Sequence, residues 1–307
     1  MNALRTLRLG TRRSPLARAQ SGQVARALEA AHPGLAVELV PIETEGDRTP
    51  GDLAALGGKG LFTRELEEGL LSGALDLAVH SLKDLPVAVP EGLAIAAYPE
   101  RADPRDALVS DVARDLAGLP PGAALLTGSL RRRAQILARR PDLAVEPLRG
   151  NVETRLRKWR ERGAAGVVLA AAGLARLGLT DLPIHPLDPA EMLPAPGQGI
   201  LALEVRAGSP AADLCFVLDH LPSRRAATAE RGVVAAFGGD CTLPLAAFAR
   251  EEGGLLHLTA FLGTPDGRRS VAADARGSDP EEVAAACVEA LRAQCADAVL
   301  AALRKDP

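Results

Sequence analysis

Aromatic residues and lysine are scarce in this 307-residue sequence. Aromatics make up 2% of the chain, so its cores must be packed mainly from Ala, Leu and Val, and few rings can stack on nucleic-acid bases. Lysine occurs only at positions 59, 83, 158 and 305, and arginine supplies every other basic side chain. Because a guanidinium pairs with a carboxylate through two parallel hydrogen bonds, the chain is equipped for acidic ligands. A net charge of -3 argues against a general polyanion binder, so we expect no nucleic-acid partner.

Long apolar runs, a signal-peptide pattern and metal-type spacing are also missing. The sequence has no window of about 18 uninterrupted apolar residues and no long apolar stretch near its start, so we expect a cytoplasmic protein without a membrane partner. The cysteines form no C-x-x-C pair and the histidines show no metal-ligand spacing, so we predict no metal site. We predict that Cys215, Cys287 and Cys295 are buried filler, whereas Cys241 lies in a Gly-rich loop.

Strand and helix patterns in the first two thirds of the chain alternate. This alternation, up to about Tyr98, predicts a mostly parallel sheet with helices on both faces. The first helix is predicted to begin at Ser14-Pro15, with Ser14 as N-cap and Pro15 as the first helical residue. The alternation restarts with a strand near 123–126, and a strand pattern at 199–205 follows a Pro-rich stretch. A chain of this length exceeds one compact core, so two or three domains are expected.

The last third of the chain has a different pattern. From Pro222 onward the sequence predicts a helix, about three strands spanning 245–275, and one long Ala-rich helix over 280–303. This order of elements is typical of a third, smaller α+β domain.

Five short motifs and one cysteine loop carry the functional signal. The run 78–86 places Lys83 and Asp84 at the end of an apolar strand pattern, where ligands bind in open α/β sheets. Four further segments are rich in Arg, Ser, Gly or Pro. In chain order the motifs are 11–17, 57–62, 78–86, 127–133 and 193–199, followed by the loop Gly238–Cys241. Together they resemble the porphobilinogen deaminase (hydroxymethylbilane synthase) family, from near the first residue to about Cys241.

The resemblance implies a fold class and three domains. The class is α/β, with the first two domains like type II periplasmic-binding proteins, having mixed, mostly parallel sheets around a cleft. The third is a small α+β domain that carries Cys241. The implied ranges are 1–99 plus 197–218 for domain 1, 100–196 for domain 2 and 219–307 for domain 3.

The resemblance also implies an activity and a cofactor. Members of the family are transferases that join four porphobilinogen molecules head to tail into hydroxymethylbilane, releasing ammonia. The growing chain is built on a dipyrromethane cofactor that is held by a thioether, and the implied attachment point here is Cys241. A thiolate in an accessible loop is a suitable nucleophile for that bond. The implied enzyme acts in tetrapyrrole biosynthesis and works as a monomer without metal.

Asp84 is the implied catalytic residue, because a fixed carboxylate can stabilise a pyrrole-derived cation and move protons. Lys83 would keep Asp84 ionised or bind a substrate carboxylate. Porphobilinogen carries two carboxylates, and arginines at helix starts oppose the helix dipole, so an anionic ligand explains them better than fold stability does. The predicted binding residues are Arg12, Ser14, Asp47, Lys59, Phe62, Ser81, Lys83, Thr127, Ser129, Arg131, Arg132, Arg149, Arg155 and Gln198.

Two other interpretations stay open. A small-anion solute-binding module has the same two-domain architecture, although a pure binder needs neither a reactive Cys241 nor Asp84 among cations. Asp84 could also be an ordinary turn residue paired with Lys83.

Overall fold

A computed structural model describes residues 6–44, 63–238 and 243–305. The chain divides into two compact units. Unit 1 comprises Met1–Arg101 and Ile200–Arg224, and unit 2 comprises Ala102–Gly199 and Arg225–Pro307. In the described part of the chain, no helix is long and apolar enough to cross a membrane.

Unit 1 is built on a five-stranded sheet of order β2-β1-β3-β10-β4. Strands β1, β2 and β3 are mutually parallel where they pair, and β10 runs antiparallel between β3 and β4. The strands span Thr6–Arg12 (β1), Ala36–Ile42 (β2), Leu77–Ser81 (β3), Leu93–Ala97 (β4) and Leu201–Arg206 (β10). The arrangement confirms the predicted mixed, mostly parallel sheet.

Helices pack against the sheet of unit 1 through buried Leu and Val residues. Ser14 caps α1 by accepting a hydrogen bond from the Ala17 backbone N–H, and Pro15 is the first helical residue, as predicted. One core contains α1 side chains such as Val24 and Leu28, and another contains α2 side chains such as Leu66. The helices are α1 (Pro15–Ala31), α2 (Arg64–Leu71) and α6 (Pro210–Phe216); α7 (Leu221–Ala236) begins at the end of this unit.

Unit 2 contains a second five-stranded sheet, of order β7-β6-β8-β5-β9, with the same sequence of strand directions as the first. The strands are β5 (Asp106–Val109), β6 (Ala124–Leu126), β7 (Ala144–Glu146), β8 (Gly166–Ala170) and β9 (Ile184–Pro186). The helices between them are α3 (Leu130–Arg139), α4 (Val152–Arg162) and α5 (Ala171–Arg176). Buried aliphatic clusters lie on both faces of this sheet.

The last part of unit 2 is an antiparallel sheet of order β11-β12-β13 covered by helices. Ala134 of α3 and Leu193 share a hydrophobic cluster with Ala246, Phe248 and Phe261 of that sheet, which ties the two sheets of unit 2 together. The elements are β11 (Leu245–Glu252), β12 (Leu255–Gly263), β13 (Ser270–Gly277), α8 (Pro280–Ala293) and α9 (Ala296–Lys305).

The structure corrects the sequence-based reading at the C-terminal helix and at one cysteine. The predicted single helix over 280–303 is wrong, because the chain breaks between α8 and α9 at Cys295, which has a left-handed φ of 70°. Cys215 and Cys287 are buried as predicted, but Cys295 is exposed in this turn. The short elements β5, β9 and α5 were not predicted.

Candidate active site

One group of predicted site residues lies at the carboxyl edge of the unit 1 sheet. Strands β1 and β3 are parallel neighbours, so their last residues meet at the same edge. Arg12 ends β1 and Ser14 follows it at the start of α1. Ser81 ends β3, and Lys83 and Asp84 form the 3-10 turn that follows.

Hydrogen bonds fix the backbone and hydroxyls of this edge. The Gln20 amide Nε2 of α1 donates to Ser81 Oγ at 2.8 Å. The Leu82 N–H donates to the Ile200 carbonyl at 3.0 Å, and the Leu85 N–H donates to the Leu82 carbonyl at 3.1 Å. The turn that presents Asp84 is therefore held from both sides.

Asp84 itself is exposed, and among the described residues its carboxylate has no ion-pair or hydrogen-bond partner. The alternative, in which Asp84 is a turn residue paired with Lys83, is not supported, because these two residues form no ion pair. Lys83 is half-buried and interacts elsewhere.

Behind this edge lies a buried acid and histidine pair. His80 Nε2 is 2.9 Å from Glu204 Oε2 of β10, and both side chains are almost fully buried. His80 and Ser81 are consecutive in β3, so their side chains point to opposite faces of the sheet. His80 is thus a structural neighbour of the site residues.

A second group of predicted residues lies at the carboxyl edge of the unit 2 sheet. Thr127 follows β6 and is buried, and Ser129 caps α3 by accepting from the Arg132 backbone N–H. Asn151 caps α4 in the same way, through the Thr154 N–H at 2.9 Å. Both helix starts therefore point free N–H groups toward this edge.

Arg149 and Arg155 flank the second of these helix starts. Arg149 is exposed, and its carbonyl accepts from Lys158 Nζ at 3.1 Å. Arg155 is half-buried, and its Nε donates to the Gly150 carbonyl at 2.7 Å. The Arg155 guanidinium therefore lies against the backbone turn that Arg149 and Gly150 form before α4.

Arg131 and Arg132 share one buried carboxylate, which the sequence did not predict. Arg131 Nη1 donates to Asp106 Oδ2 at 2.7 Å, and Arg132 donates to Asp106 Oδ1 from Nε at 3.0 Å and Nη2 at 2.8 Å. Gln198 Nε2 donates to the same Oδ1 at 2.9 Å. Asp106 is completely buried, and the two arginine side chains are 5% and 6% exposed.

The electrostatics of this cluster follow from two cations around one anion. Burial opposes ionisation of Asp106, but the charges of Arg131 and Arg132 outweigh it and hold the pKa of Asp106 well below its usual range. Burial lowers the pKa of Arg131, and the Asp106 charge opposes that effect. With two guanidinium groups and one carboxylate, the cluster carries an excess of one positive charge.

Arg176 and Glu230 also contact the loop around Gln198, and the sequence did not predict either residue. Arg176 donates from Nη2 to the Gly199 carbonyl at 2.9 Å, while its buried Nε has no hydrogen-bond partner within the described residues. Burial lowers the pKa of Arg176. Glu230 of α7 accepts from the Gly197 N–H at 2.6 Å and from the Ala249 N–H at 2.8 Å, which fastens the loop before Gln198.

Four of the predicted residues, Asp47, Lys59, Phe62 and Cys241, lie outside the described residues. Among those described, no group of three or more His, Cys, Asp or Glu is arranged to hold a metal ion.

Comparison with known families decides the assignment. The sequence model for the porphobilinogen deaminase dipyrromethane cofactor binding domain matches residues 7–213, and that for the C-terminal domain of the same family matches 225–296. The chain belongs to the porphobilinogen deaminase family. It is therefore an enzyme of tetrapyrrole biosynthesis, a transferase that uses a dipyrromethane cofactor, as the motifs predicted.

Individual relatives agree along almost the whole length. The chain is 46% identical over 301 residues to a porphobilinogen deaminase of Acidithiobacillus ferrooxidans, covering 97% of this chain and 98% of that one. It is 48% identical over 311 residues to a porphobilinogen deaminase of Bordetella parapertussis, covering 99% and 98%.

Solved structures resemble the chain more loosely. The periplasmic aliphatic sulphonate binding protein of Escherichia coli has a TM-score of 0.41 at 13% identity, covering 76% of this chain and 70% of that one. An effector-binding domain crystallised with benzoate has a TM-score of 0.40 at 16% identity, covering 76% and 92%. The assignment to the deaminase family rests on the sequence matches.

Proposed function

We propose that the arginine cluster at the carboxyl edge of unit 2 binds the acidic side chains of the pyrrole chain. The observation that carries this proposal is the buried group of Arg131, Arg132 and Asp106. Two cations share one anion, and Nε and Nη2 of Arg131 have no partner among the described residues. A carboxylate would supply the missing charge and acceptors, with charge-assisted hydrogen bonds worth about 1.5–3 kcal/mol each.

The residues fit a cofactor that carries carboxylates. When bound, dipyrromethane supplies the covalent primer to which porphobilinogen units are added. Around it, Arg131 and Arg132 would hold carboxylates, and the hydroxyls of Thr127 and Ser129 would accept or donate hydrogen bonds. The remaining proposed binding groups are Arg12, Ser14, Asp47, Lys59, Phe62, Ser81, Lys83, Arg149, Arg155, Arg176 and Gln198.

The catalytic group in this proposal is Asp84. Its exposed carboxylate can accept a pyrrole N–H, stabilise positive charge that develops on a ring, and hold or release a proton at Oδ. The backbone hydrogen bonds of Leu82 and Leu85 fix the turn from which the Asp84 side chain extends. Lys83, the preceding residue in the same turn, is a proposed binding group for a substrate carboxylate.

The thioether is proposed to form at Cys241. Burial raises the pKa of the Cys215 thiol to about 12 and, with the Asp274 charge, that of Cys287 to about 11, so neither is a suitable thiolate donor near neutral pH. These free buried thiols also favour a reducing, cytoplasmic location.

The proposal includes the organisation of the enzyme. Three separate sheets support three domains, for which we propose the ranges 1–99 plus 197–218, 100–196 and 219–307; the second segment of unit 1 begins at Ile200 and ends at Arg224, a few residues after the proposed boundaries. We further propose that the enzyme acts on porphobilinogen as a monomer, which light scattering during size-exclusion chromatography tests directly.

The test of the function is turnover. The purified protein is incubated with porphobilinogen while released ammonia and hydroxymethylbilane are measured, for the parent and for Asp84→Asn. We expect kcat to fall about 10²- to 10⁴-fold in this variant because it loses the ionised carboxylate. Asp181→Asn, at another exposed aspartate, is the matched control and should keep normal turnover. Saturable binding of porphobilinogen by the parent without ammonia release would instead favour the solute-binding module.

A further inference from the structure

We propose that Asp106 is a positioning residue of the anion site, fixing Arg131 and Arg132 so that their remaining N–H groups meet a carboxylate of the pyrrole chain. This inference rests on the function proposed above. Asp106 is not placed to touch the ligand, since four side-chain hydrogen bonds from Arg131, Arg132 and Gln198 occupy its oxygens and it is fully buried.

The topology of the sheet explains how an aspartate comes to lie there. Strand β5 runs antiparallel to β8, and Asp106, its first residue, pairs with Ala170, the last residue of β8. The start of β5 therefore lies at the carboxyl edge of the parallel strands β6 and β8. Thr127 and the start of α3 lie at that same edge. The Asp106 carboxylate is therefore next to the guanidinium groups of Arg131 and Arg132, which belong to the first turn of α3.

The hydrogen bonds use the two arginines unequally: Arg131 bonds through one of its three side-chain nitrogens and Arg132 through all three. A guanidinium has five N–H groups. Arg131 spends both N–H groups of Nη1, on Asp106 and on the Leu193 carbonyl at 2.6 Å. Arg132 spends Nε and one N–H of Nη2 on Asp106, and one N–H of Nη1 on the Val168 carbonyl at 2.9 Å. Nε and Nη2 of Arg131 donate no hydrogen bond to any described residue, so both are available for a ligand carboxylate.

A purely structural ion pair does not explain this arrangement. A buried salt bridge is stable only when charges balance and all polar groups are satisfied. Here two guanidinium groups share one carboxylate, and Nε and Nη2 of Arg131 bond to no described residue. The cluster is completed by an external anion, and Asp106 determines which N–H groups face it.

The matched test compares two aspartates that hold arginine, the fully buried Asp106 and Asp219, whose side chain is 9% exposed. Asp219 of unit 1 accepts two hydrogen bonds from Arg224 and one from the Tyr98 N–H, and among the described residues none from the proposed binding arginines. Asp106→Asn and Asp219→Asn therefore each remove one carboxylate that accepts hydrogen bonds from arginine. For both variants the fraction of chains carrying the cofactor is measured by intact mass, alongside the urea unfolding midpoint, KM and kcat.

We expect Asp106→Asn to lower the loaded fraction, or to raise KM for porphobilinogen, about 10²-fold, because the guanidinium groups lose their fixed orientation. Its kcat per loaded chain should change much less. Asp219→Asn should lose stability but keep loading and KM. A folded Asp106→Asn with loading and KM within about two-fold of the parent overturns the inference, as does an equal loss in both variants.

A measurement on the unsubstituted arginine cluster covers the case in which Asp106→Asn does not fold. Nitrogen-15 NMR follows exchange of the arginine Nε–H protons in the loaded enzyme and in unloaded Cys241→Ser. We expect loading to protect the Arg131 Nε–H and to leave the Arg132 Nε–H, already bonded to Asp106, unchanged. Loss of protection at Arg132 on loading would show that it leaves Asp106 for the ligand, and would overturn the inference.

These outcomes are distinct from failure of the proposed function. If the parent protein neither carries a pyrrole adduct nor releases ammonia, the function is wrong. If the parent does both and Asp106→Asn matches it, only the role of Asp106 is wrong.

Discussion

Replacing Gly128 by alanine should separate two loops that carry proposed binding residues. A Cβ on Gly128 would lie 2.3 Å from the backbone carbonyl oxygen of Leu148. Gly128 stands between Thr127 and Ser129, and Leu148 directly precedes Arg149. An ordinary carbon to oxygen contact is about 3.3–3.6 Å, so the loops must move apart by about 1 Å.

A shift of this size is large for a site that depends on fixed hydrogen bonds. We expect kcat/KM for porphobilinogen to fall about 10²-fold, since a misplacement of about 1 Å has that effect in oriented sites. Overpacking of this kind should also lower the free energy of unfolding by about 1–3 kcal/mol. Steady-state formation of hydroxymethylbilane gives the first quantity, and urea unfolding gives the second.

The control is Gly22→Ala in the interior of α1. Its new Cβ would meet only the flexible end of Arg26, at 3.4 Å. Because alanine favours helix more than glycine does, the free energy of unfolding of this variant should rise by about 0.5–1 kcal/mol, and its activity should not change. A Gly128→Ala enzyme with unchanged kcat/KM would refute the idea that the spacing of the two loops sets binding.

Two further predictions follow from pKa values. At pH 8, iodoacetamide should modify the exposed Cys295 of the folded protein and spare Cys215 and Cys287. Burial raises the pKa of the Cys215 thiol to about 12 and that of the Cys287 thiol to about 11, so both stay protonated. Rapid labelling of either buried thiol, detected by peptide mapping, would contradict this prediction. The lowered pKa of Asp106 stabilises the fold above the unfolded value of about 3.9, and that contribution is lost as pH falls through the lower folded value. The urea midpoint should therefore fall more steeply below pH 4 in the parent than in Asp106→Asn, and parallel curves would refute the assignment.

Local signals in the sequence were enough for much of the fold. The Ser14-Pro15 pair marked a helix start, and Ser129 marked another, because side-chain caps act within three residues. The alternating strand and helix patterns predicted a mostly parallel sheet in unit 1, and the family resemblance implied that the sheet is mixed. Strand β5 was missed because four fully buried residues show no alternation. The break at Cys295 was missed because Ala-rich sequence continues across it.

Some residues of the candidate site could likewise be predicted from local sequence, and others could not. Asp84, Arg131 and Arg132 could be selected from motifs that are contiguous in the chain. Asp106 lies 25 residues from Arg131 in sequence, and their contact depends on β5 being inserted antiparallel beside β8. Nothing in the sequence near Asp106 reports that pairing. Arg176 was missed for a related reason, since a basic residue ending a short helix is typical of ordinary helix ends.

The intact mass of the purified, denatured protein, followed by peptide mapping, shows directly whether a dipyrromethane is bound to Cys241. We predict a mass excess equal to two linked pyrroles, located on the peptide that contains Cys241. An excess on the Cys295 peptide would contradict the attachment site. An unmodified chain that also fails to release ammonia from added porphobilinogen would contradict both the covalent cofactor and the transferase activity.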